Sequence, residues 1–540
     1  MPKTYTKVIT LNNFYGGIAE DDLDIYSKLG EGAYVQGADI FRYHDFLQQN
    51  YVAADDSAMT GEDAAIGFIP RSRGYVKSST TNTIYTVVYG RNSSTPAWLH
   101  RVLSKTTVDS NWALVTNGAS GTNGSRANGT GTGAAEPTLG VFEYSDDIYW
   151  FYRDTQVSQY SGTTLTDSWD NLNTVDWGGS NGYTGGAINH TDGNIYFWKQ
   201  AISGTDNAGR YIGPYDGTTL PSAVTPFTLP EGYSIVDAIS KGHYLIVAAN
   251  DTTYSKTSKL FVIDPYTGVG IYTFDDIYDT QTYGIQALAS VEGGIKLITF
   301  QNDLKIIAWG GGDYFPQEKR LNVGDTAGTT TVRRTAVDIK DRILYMGTNS
   351  TLSGFNNGIY AYGREKPEDV KAISNAFLNH SNTLASIDYR ALKWMIFGPT
   401  GSPTNAAGKS IWFASWYNGT DYDMSRLNYS NATPMVFHST WFRPWRNLRS
   451  QCIKATIFHA PLSSTDRFDF DWAVNGGSFS EIETSNGATD GSETILFNNQ
   501  AGLTNNFPNG WRHKFRLERT DGSTLKIEAI KLKMRTSEQE

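Results

Sequence analysis

Short apolar runs recur along the chain at a nearly constant interval and alternate with polar turns. Seven runs of four residues share a content of β-branched, aliphatic and aromatic residues: Ile84–Val87, Ile148–Phe151, Ile195–Trp198, Leu245–Ala248, Ile295–Ile298, Ile343–Met346 and Trp394–Phe397. Their first residues lie 64, 47, 50, 50, 48 and 51 positions apart. Strands repeated at a period near fifty are typical of the blades of a β-propeller. The pattern therefore predicts an all-β protein with a propeller of about seven blades over residues 64–434, each run being a blade's second strand.

Polar turns between the strands support the same repeat. Thr191-Asp192-Gly193-Asn194, Lys241-Gly242 and Glu292-Gly293-Gly294 directly precede three of the runs. Gly and Asp tolerate the positive φ that tight hairpins require, so these stretches predict hairpin turns. The first interval is the longest because it contains Asn117–Ala135, a segment with six Gly and few residues that a core would bury. We interpret this segment as an insertion.

The strands that precede the runs are expected to line the centre of the ring. In a propeller the innermost strand of each blade faces a central channel. The candidates for these first strands are mostly small or apolar: Gly140–Tyr144, Ala187–Asn189, Val236–Ile239, Gln286–Ser290, Ala336–Ile339 and Ala385–Ile387. The ring closes only if a strand from before the first run completes the last blade. We expect that strand at Ala64–Arg71.

Both ends of the chain lack the period. Residues 1–63 hold two small apolar clusters that are too far apart for a core, which predicts an extended N-terminal arm lying on the propeller or on a neighbouring subunit. Residues 435–540 hold about six strand patterns, including a hairpin with its turn at Asn475-Gly476-Gly477-Ser478. This density of short strands predicts a C-terminal β-sandwich.

Charge and cysteine content narrow the classes of function. The formal net charge is −10, and residues 1–66 carry most of it, with eleven acidic and four basic residues. This acidic segment is interpreted either as a solvated surface or as an arm that docks on a basic neighbour. An acidic chain without a basic run is a poor candidate for tight, phosphate-driven nucleic-acid binding. Cys452 is the only cysteine, which excludes an intrachain disulfide and a four-cysteine zinc site.

No local motif in the sequence indicates catalysis or cofactor binding. The eight His are scattered, with no pair at metal-ligand spacing: His44, His100, His190, His243, His380, His438, His459 and His513. Ser180 lies in a stretch whose sequence matches a nucleophile elbow, but this stretch is a Gly-rich loop. Gly408-Lys409-Ser410 matches the end of a phosphate loop, but Pro403 occupies the place of the first Gly that such a loop requires. We therefore expect no catalytic, metal-binding or cofactor-binding residue, and a protein that is not an enzyme.

Two alternatives remain open beside a structural role. A propeller glycosidase needs two or three carboxylates around the channel, and Asp237, Asp338 and Asp388 fall in or beside first strands. A glycan- or receptor-binding protein needs exposed aromatic residues, and a group near the end of the propeller supplies candidates: Trp412, Trp416, Tyr417, Tyr422, Trp441 and Trp445. The simpler interpretation of the aspartates is that they solvate the channel. The simpler interpretation of the aromatic residues is that they pack inside the protein.

The two ends of the chain carry a resemblance to a known family. Cys452–Ile482, with its His459-Ala460-Pro461 turn and its Trp472–Phe479 hairpin, resembles the C-terminal part of tail proteins of tailed bacteriophages, and Phe515–Leu532 is similar too. The opening Phe14-Tyr15-Gly16-Gly17-Ile18 resembles the start of such virion proteins. These motifs cover a minor part of the chain and are moderately specific.

The resemblance implies a structural subunit of the tail, either a nozzle at the end of the tail tube or a tail-tip protein that binds a receptor or glycan. The nozzle role implies a homo-oligomeric ring, with a hexamer as the first guess, contacts with neighbouring tail and adaptor proteins, and transient passage of genomic DNA during ejection. No run of about eighteen uncharged apolar residues predicts a membrane span, and the first residues lack the apolar core of a signal peptide. We therefore expect synthesis in the host cytoplasm and a final location in the virion tail.

Overall fold

The computed structural model describes a large part of the 540-residue chain in ranges that are separated by gaps. The described residues are 4–12, 14, 17–19, 31–41, 47–56, 59–60, 71–78, 83–91, 98–108, 110–115, 125–127, 141–144, 147–152, 156–161, 164–171, 183–200, 211–215, 227–251, 257–265, 274–281, 284–300, 303–322, 330–350, 357–367, 369, 371–377, 387–396, 409–417, 422–445, 448–462, 467–484, 491–497, 509–519 and 525–537. Within these ranges no helix is long and apolar enough to cross a membrane.

Every element described is a β-strand. The first strands in chain order are β1 (Thr4–Leu11), β2 (Gly17–Ile18), β3 (Glu31–Gln36), β4 (Ala38–Asp39), β5 (Leu47–Gln49), β6 (Tyr51–Asp55) and β7 (Met59–Thr60). The next fourteen are β8 (Arg71–Lys77), β9 (Ile84–Arg91), β10 (Trp98–Lys105), β11 (Trp112–Leu114), β12 (Ser125–Ala127), β13 (Val141–Tyr144), β14 (Asp147–Tyr152), β15 (Gln156–Ser161), β16 (Thr164–Asn171), β17 (Tyr183–Asn189), β18 (Ile195–Gln200), β19 (Tyr211–Tyr215), β20 (Phe227–Thr228) and β21 (Tyr233–Lys241).

The remaining strands complete the chain. They are β22 (Tyr244–Asp251), β23 (Lys259–Ile263), β24 (Phe274–Asp279), β25 (Ile285–Val291), β26 (Gly294–Phe300), β27 (Asp303–Trp309), β28 (Gln317–Asn322), β29 (Thr330–Lys340), β30 (Ile343–Ser350), β31 (Ile359–Gly363), β32 (Ala372–Phe377), β33 (Asp388–Ile396), β34 (Ser410–Tyr417), β35 (Tyr422–Ala432), β36 (Met435–Ser439), β37 (Ser450–His459), β38 (Asp469–Val474), β39 (Ser480–Thr484), β40 (Ser492–Leu496), β41 (Asn509–Gly510), β42 (His513–Arg519) and β43 (Lys526–Ser537).

Consecutive antiparallel strands form the blades of a propeller. Strand pairing among the described residues gives seven such groups: β8–β11, β13–β16, β17–β20, β21–β24, β25–β28, β29–β32 and β33–β35 with β6. Their first strands touch one another in a closed cycle, β8 to β13, β17, β21, β25, β29, β33 and back to β8. The all-β class and the propeller are therefore confirmed. We number the blades one to seven in this order.

The blades form where the hydrophobic pattern and the turns agree. Five of the eight positions in β22 and seven of the eight in β30 are buried, because both faces of a blade pack against neighbouring blades. Two-residue turns join the first and second strands of blades four, five and six, and Gly242 and Gly293 in these turns have φ of 61° and 76°. Both glycines take a backbone conformation that other residues adopt only with strain.

The predicted strand order of the seventh blade is wrong. The run that begins at Trp394 lies in β33, the first strand of its blade, and the second strand is β34. Both strands are largely buried runs rich in apolar residues, so periodicity cannot assign their order within the blade. The strand that completes this blade is β6, which pairs with β35, instead of the predicted strand at Ala64–Arg71. Residues 64–70 lie outside the described ranges.

The C-terminal region forms two packed sheets, and N-terminal strands belong to both. One sheet contains β43, β37 and β40, extended by β1, β5 and β4, while the other contains β36, β42, β38 and β39. Strand β3 pairs with β36 on one side and, through Gln36 and Asn375, with β32 of blade six on the other. The described part of residues 1–63, expected as an extended arm, is therefore built into the sandwich, the last blade and, through β7, the first blade. A segment with too few apolar residues for its own core can complete the sheets of other domains.

Candidate functional site

The first strands of the blades are irregular at the centre of the ring. Pairing between first and second strands shifts register in six of the seven blades, at one position along β8, β17, β21, β25, β29 and β33. Bulges re-aim side chains and are common beside functional sites. Gln286, Arg333, Arg334 and Arg390 occupy these breaks in three different blades. They form a polar belt around the channel.

The largest bulge, in β29, carries two arginines that reach neighbouring blades. Arg333 donates two hydrogen bonds to Asp388 of blade seven, from Nε to Oδ1 and from Nη2 to Oδ2, each at 2.7 Å. Arg390 adds a third contact, with Nη2 2.7 Å from Asp388 Oδ2. A two-pronged guanidinium–carboxylate pair fixes both position and orientation. Blades six and seven are therefore tied together at the channel.

Asp237 makes a second set of such contacts, which join blades four, five and six. Its carboxylate accepts hydrogen bonds from Leu288 N at 2.7 Å, from Ala238 N at 2.8 Å and from Arg334 Nε at 2.5 Å. The Arg334 guanidinium also lies 4.5 Å from the ring centre of Trp198 in blade three. Burial raises the pKa of Asp237, and the Arg334 charge and the two backbone N–H groups offset part of that rise.

Asp338 makes the same kind of contact one blade further on. Its Oδ2 accepts a hydrogen bond from Trp394 N at 2.7 Å, and its Oδ1 lies 3.0 Å from Lys393 Nζ, both in blade seven. All three aspartates predicted around the channel are thus located there, but each one binds groups of another blade. Glycoside hydrolysis needs a pair of carboxyl groups aimed at one bond. These three are used instead to hold the ring.

A cavity of about 830 Å³ opens where the first strands end. Its wall comes from blades one, three, six and seven, and it includes Lys77, Lys340, Lys393 and Asp341 beside apolar residues. Lys340 Nζ lies 4.5 Å from the ring centre of Trp394 and 3.3 Å from Asp341 Oδ2, while Lys77 Nζ donates to Ile396 O at 2.5 Å. Because Asp338 binds Lys393 and Asp341 binds Lys340, the wall keeps only a small excess of positive charge, which comes from Lys77.

The predicted sugar-stacking aromatic residues do not form an open platform. Trp412 and Trp416 are buried, and Trp416 Nε1 donates to Ser425 Oγ at 3.0 Å. Trp441 packs beneath Arg512 and Lys514, Tyr417 lies 5.6 Å from the guanidinium of Arg390, and Trp445 packs against the core. The side chain of Tyr422 lies outside the described part of the structure. The five residues whose side chains are described pack blades and sheets together.

A buried serine–histidine contact in the sandwich resembles a nucleophile and its base but cannot act as one. Ser450 Oγ lies 2.9 Å from His513 Nε2, and the Trp472 indole N–H donates to His513 Nδ1 at 3.2 Å. An indole nitrogen only donates, so Nδ1 is the acceptor and the proton of the neutral ring sits on Nε2, facing the serine. All three side chains are buried, so this contact is a packing feature.

The other motif residues that the structure describes add no site. Ser180, Gly408, His44 and His380, and most of Asn117–Ala135, lie outside the described residues. Lys409 lies 4.5 Å from the ring centre of Tyr429, and Ser410 lines the channel cavity. No group of three or more potential metal ligands occurs in the described part of the chain.

The arginines of the belt were missed from the sequence, although a signal was present. Arg333 and Arg334 precede the predicted first strand Ala336–Ile339 with only Thr335 between, whereas the other predicted first strands are mostly small or apolar. A pair of charges at the entrance to an inner strand indicates a bulge with side chains facing the channel. The partners of these arginines lie 55 and 97 positions away and follow only from the closed ring.

Comparison with known proteins gives likeness of fold alone. No protein-family model and no curated protein matches the chain. Among solved structures, the chain is similar to an exo-β-1,3-galactanase from Phanerochaete chrysosporium, with 11% identity, 89% of this chain and 100% of that chain covered, and a TM-score of 0.30. It is also similar to Trypanosoma rangeli sialidase, with 12% identity, 86% of this chain and 92% of that chain covered, and a TM-score of 0.29. A third similar structure is Sqt1 from Chaetomium thermophilum, with 9% identity, 68% of this chain and 83% of that chain covered, and a TM-score of 0.36.

The expectation that the chain is not an enzyme is corrected by these likenesses, because the solved structures that it is similar to include glycoside hydrolases and sialidases. A site at the centre of a propeller draws residues from blades about fifty positions apart, so the lack of a local motif does not exclude one. At such identities and TM-scores, the likenesses assign no activity to this chain.

Proposed function

We propose that the chain is a structural subunit of a bacteriophage tail, in which propeller and sandwich form one stiff body and several copies surround the path of the DNA. The observation that carries this proposal is the junction between the two parts. Strand β3 joins β32 of the propeller to β36 of the sandwich, so one continuous sheet of ten strands runs through both. A subunit that bears load during DNA ejection requires such a connection.

Side chains beside this junction reinforce it. Gln49 Nε2 donates to Thr433 O at 2.6 Å, and its Oε1 accepts from Leu525 N at 3.0 Å. Asn50 Nδ2 donates to Ala376 O of blade six at 3.1 Å. Each of these amides is buried, and buried hydrogen bonds of this kind are costly to break. The segment that enters the last blade is therefore held by both the propeller and the sandwich.

Two of the residues that carry the resemblance to tail proteins, Phe14 and Ile18, lie at this junction. Phe14 is fully buried, and its ring packs edge-on against Phe437 of β36, with the ring centres 5.6 Å apart. Ile18 lies in β2, which pairs with β3. The Trp472–Phe479 hairpin joins β38 to β39 in the same ten-stranded sheet. The hairpin lies at the far end of that sheet, so the location of Phe14 and Ile18 alone supports a role in fixing the two parts to each other.

Electron microscopy and mass photometry of the purified protein test the proposal. We expect closed rings of one defined order, with a central passage that admits double-stranded DNA, and antibodies against the chain that label the tail of intact particles. A protein that stays monomeric at all concentrations, or antibodies that label no virion structure, would contradict the proposal.

A second candidate is the binding of an acidic glycan at the channel mouth. The lysines on the wall of the 830 Å³ cavity favour it, since together with Asp338 and Asp341 they leave a small net positive charge beside apolar and aromatic surface. Titration with acidic and neutral oligosaccharides tests it. Binding of acidic glycans that is lost in Lys340→Glu and retained in Lys366→Glu, which lies outside the cavity wall, is the expected result. Analysis of the glycan after incubation shows whether it is also cleaved.

A further inference from the structure

One sheet of the sandwich ends in an exposed strand on each side. Its central part runs in the order β1, β43, β37, β40, and all neighbours are antiparallel. One row of side chains crosses the four strands on the outer face: Val8 is opposite Lys533, Lys533 is opposite Lys454, and Lys454 is opposite Leu496. The row therefore begins and ends with an apolar residue and has two lysines between them.

The exposed apolar side chains of the protein concentrate at these two edges. Seven large hydrophobic residues are exposed in the described part of the chain: Tyr5, Val8, Ile277, Tyr314, Ile396, Leu496 and Trp511. Tyr5 and Val8 lie on β1, and Val8 is 58% exposed. Leu496 lies on β40, and Trp511 directly follows β41, which pairs with β37 on the same side as β40. Four of the seven thus lie on opposite edges of one sheet.

Neither edge has a partner strand among the described residues. Strand β1 pairs only with β43, and β40 pairs only with β37. An unpaired edge presents a row of backbone donors and acceptors to any strand that approaches it. Proteins protect sheet edges from pairing by keeping edge strands very short, but β1 has eight residues. Exposed apolar side chains add a favourable contact when such an edge is covered.

The two edges are complementary in direction. Because the strands alternate along the sheet, β1 and β40 run in opposite directions. A second copy placed beside the first therefore brings its β1 antiparallel to β40, and the alternation continues without a break. Val8 of one copy then lies near Leu496 of the next, and the lysines of the row stay apart. Pairing of two β1 strands would leave both β40 edges exposed.

We infer that β1 of one copy pairs with β40 of the next copy and joins the sandwich sheets of neighbouring subunits edge to edge. This is a head-to-tail contact, which closes into a ring when the rotation between copies permits closure. The inference rests on the proposed ring and names the surface that builds it. Its partner is a second copy of this chain.

Cross-linking between two variants that each carry one added cysteine tests the contact. The native Cys452 is buried, and burial raises the pKa of its thiol, so it does not compete for a maleimide. Val8→Cys and Leu496→Cys proteins are mixed and treated with a short bismaleimide. We expect a linked dimer in the mixture and none in either variant alone. A dimer from Val8→Cys alone would mean that two β1 strands pair, and would overturn the inference, as would the absence of any product in the mixture.

Assembly of charged variants separates this inference from the proposed function. Val8→Lys and Leu496→Lys each place an ammonium in the contact, and we expect the concentration for half-maximal assembly to rise about tenfold or more. Ile277→Lys is the matched control, since Ile277 is 42% exposed and lies on β24 of the propeller. Rings that persist in both edge variants overturn the edge contact and leave the tail role intact. A wild-type protein that never assembles overturns both.

Discussion

Asp56 and Lys105 form a buried ion pair where the propeller ring closes. Asp56 directly follows β6, the N-terminal strand that completes blade seven, and Lys105 is the last residue of β10 in blade one. Trp112 Nε1 donates to the Asp56 carboxylate at 2.9 Å, and Arg426 Nε lies 3.3 Å from it. The carboxylate thus connects the first and last blades, which are far apart in sequence.

Removing this carboxylate is expected to destabilise the whole propeller. In Asp56→Ala, Lys105 remains buried without its opposite charge, and breaking one partner of a buried ion pair costs about 3–5 kcal/mol. We expect a lower free energy of unfolding in urea. Asp56→Ala combined with Lys105→Met should recover part of the loss, since the buried ammonium is removed together with its opposite charge.

The exposed pair of Arg320 and Asp303 provides the control. Its shortest contact is 2.6 Å, but the Arg320 side chain is 45% exposed. Exposed ion pairs contribute about 0–1 kcal/mol, so Arg320→Gln should leave the urea midpoint nearly unchanged. Equal losses in Asp56→Ala and Arg320→Gln would show that the ring closure does not depend on the buried pair.

A glycine in blade six is required for close packing against blade seven. A Cβ built on Gly347 would lie 2.5 Å from the Cβ of Tyr389, in a strand whose backbone has little room to move. Gly347→Ala should therefore destabilise the protein by about 1–3 kcal/mol, the usual cost of overpacking. Gly310→Ala is the control, since its Cβ would meet nothing within 4 Å. Thermal unfolding of the two variants should differ, and equal melting temperatures would refute the packing argument.

The repeat was readable from the sequence, whereas its connections were not. The second strands at Ile195 and Leu245 are the predicted ones, since β-branched and aromatic runs between Gly turns have few other structures. The strand order of blade seven was mistaken because β33 and β34 are equally apolar. The pairing of β1 with β43 joins residues more than five hundred positions apart, and no local pattern encodes such a contact.

The channel aspartates illustrate the same limit for the candidate site. Their position near the axis followed from the repeat, but the groups of neighbouring blades that bind them did not. Whether a carboxylate is available for chemistry depends on those partners, which a single sequence does not give. The location of the candidate site could therefore be predicted from the sequence, whereas its side-chain contacts could not.

Asp237 and Asp338 should differ in their effect on stability, although both bind the next blade. Asp237→Ala leaves two backbone N–H groups and Arg334 without their buried acceptor, which is expected to cost about 3 kcal/mol or more. Asp338→Ala loses one backbone hydrogen bond and a contact with the exposed Lys393, for about 1 kcal/mol. Urea unfolding of both variants measures the difference. A larger loss in Asp338→Ala would show that the buried aspartate is not the main tie between blades.

His513 should make the sandwich sensitive to mild acid. Burial lowers the pKa of His513 to about 4 from an ordinary value of 6.5, and the Trp472 N–H that points at Nδ1 also opposes a second ring proton. The unfolded chain therefore takes up a proton between pH 6.5 and 4, while the folded chain does not. Stability rises with pH across this window and falls as the pH drops through it, by up to about 3 kcal/mol. His438, whose pKa is lowered to about 3 by burial and by Lys514 and Arg516, acts in the same direction.

His513→Gln isolates the contribution of this ring. Glutamine keeps a donor for Ser450 but does not titrate, so the variant should lose less stability than the wild type between pH 6.5 and 4.5. Below that range the carboxylates of Glu292 and Glu318 also titrate. The hydrogen bond from Arg364 lowers the pKa of Glu292, and for Glu318 the hydrogen bonds from Lys296, Lys371 and Tyr362 outweigh the opposing effect of burial. Urea titrations at half-unit steps of pH give the slope for each protein, and parallel slopes would show that His513 is protonated alike in the folded and unfolded chains.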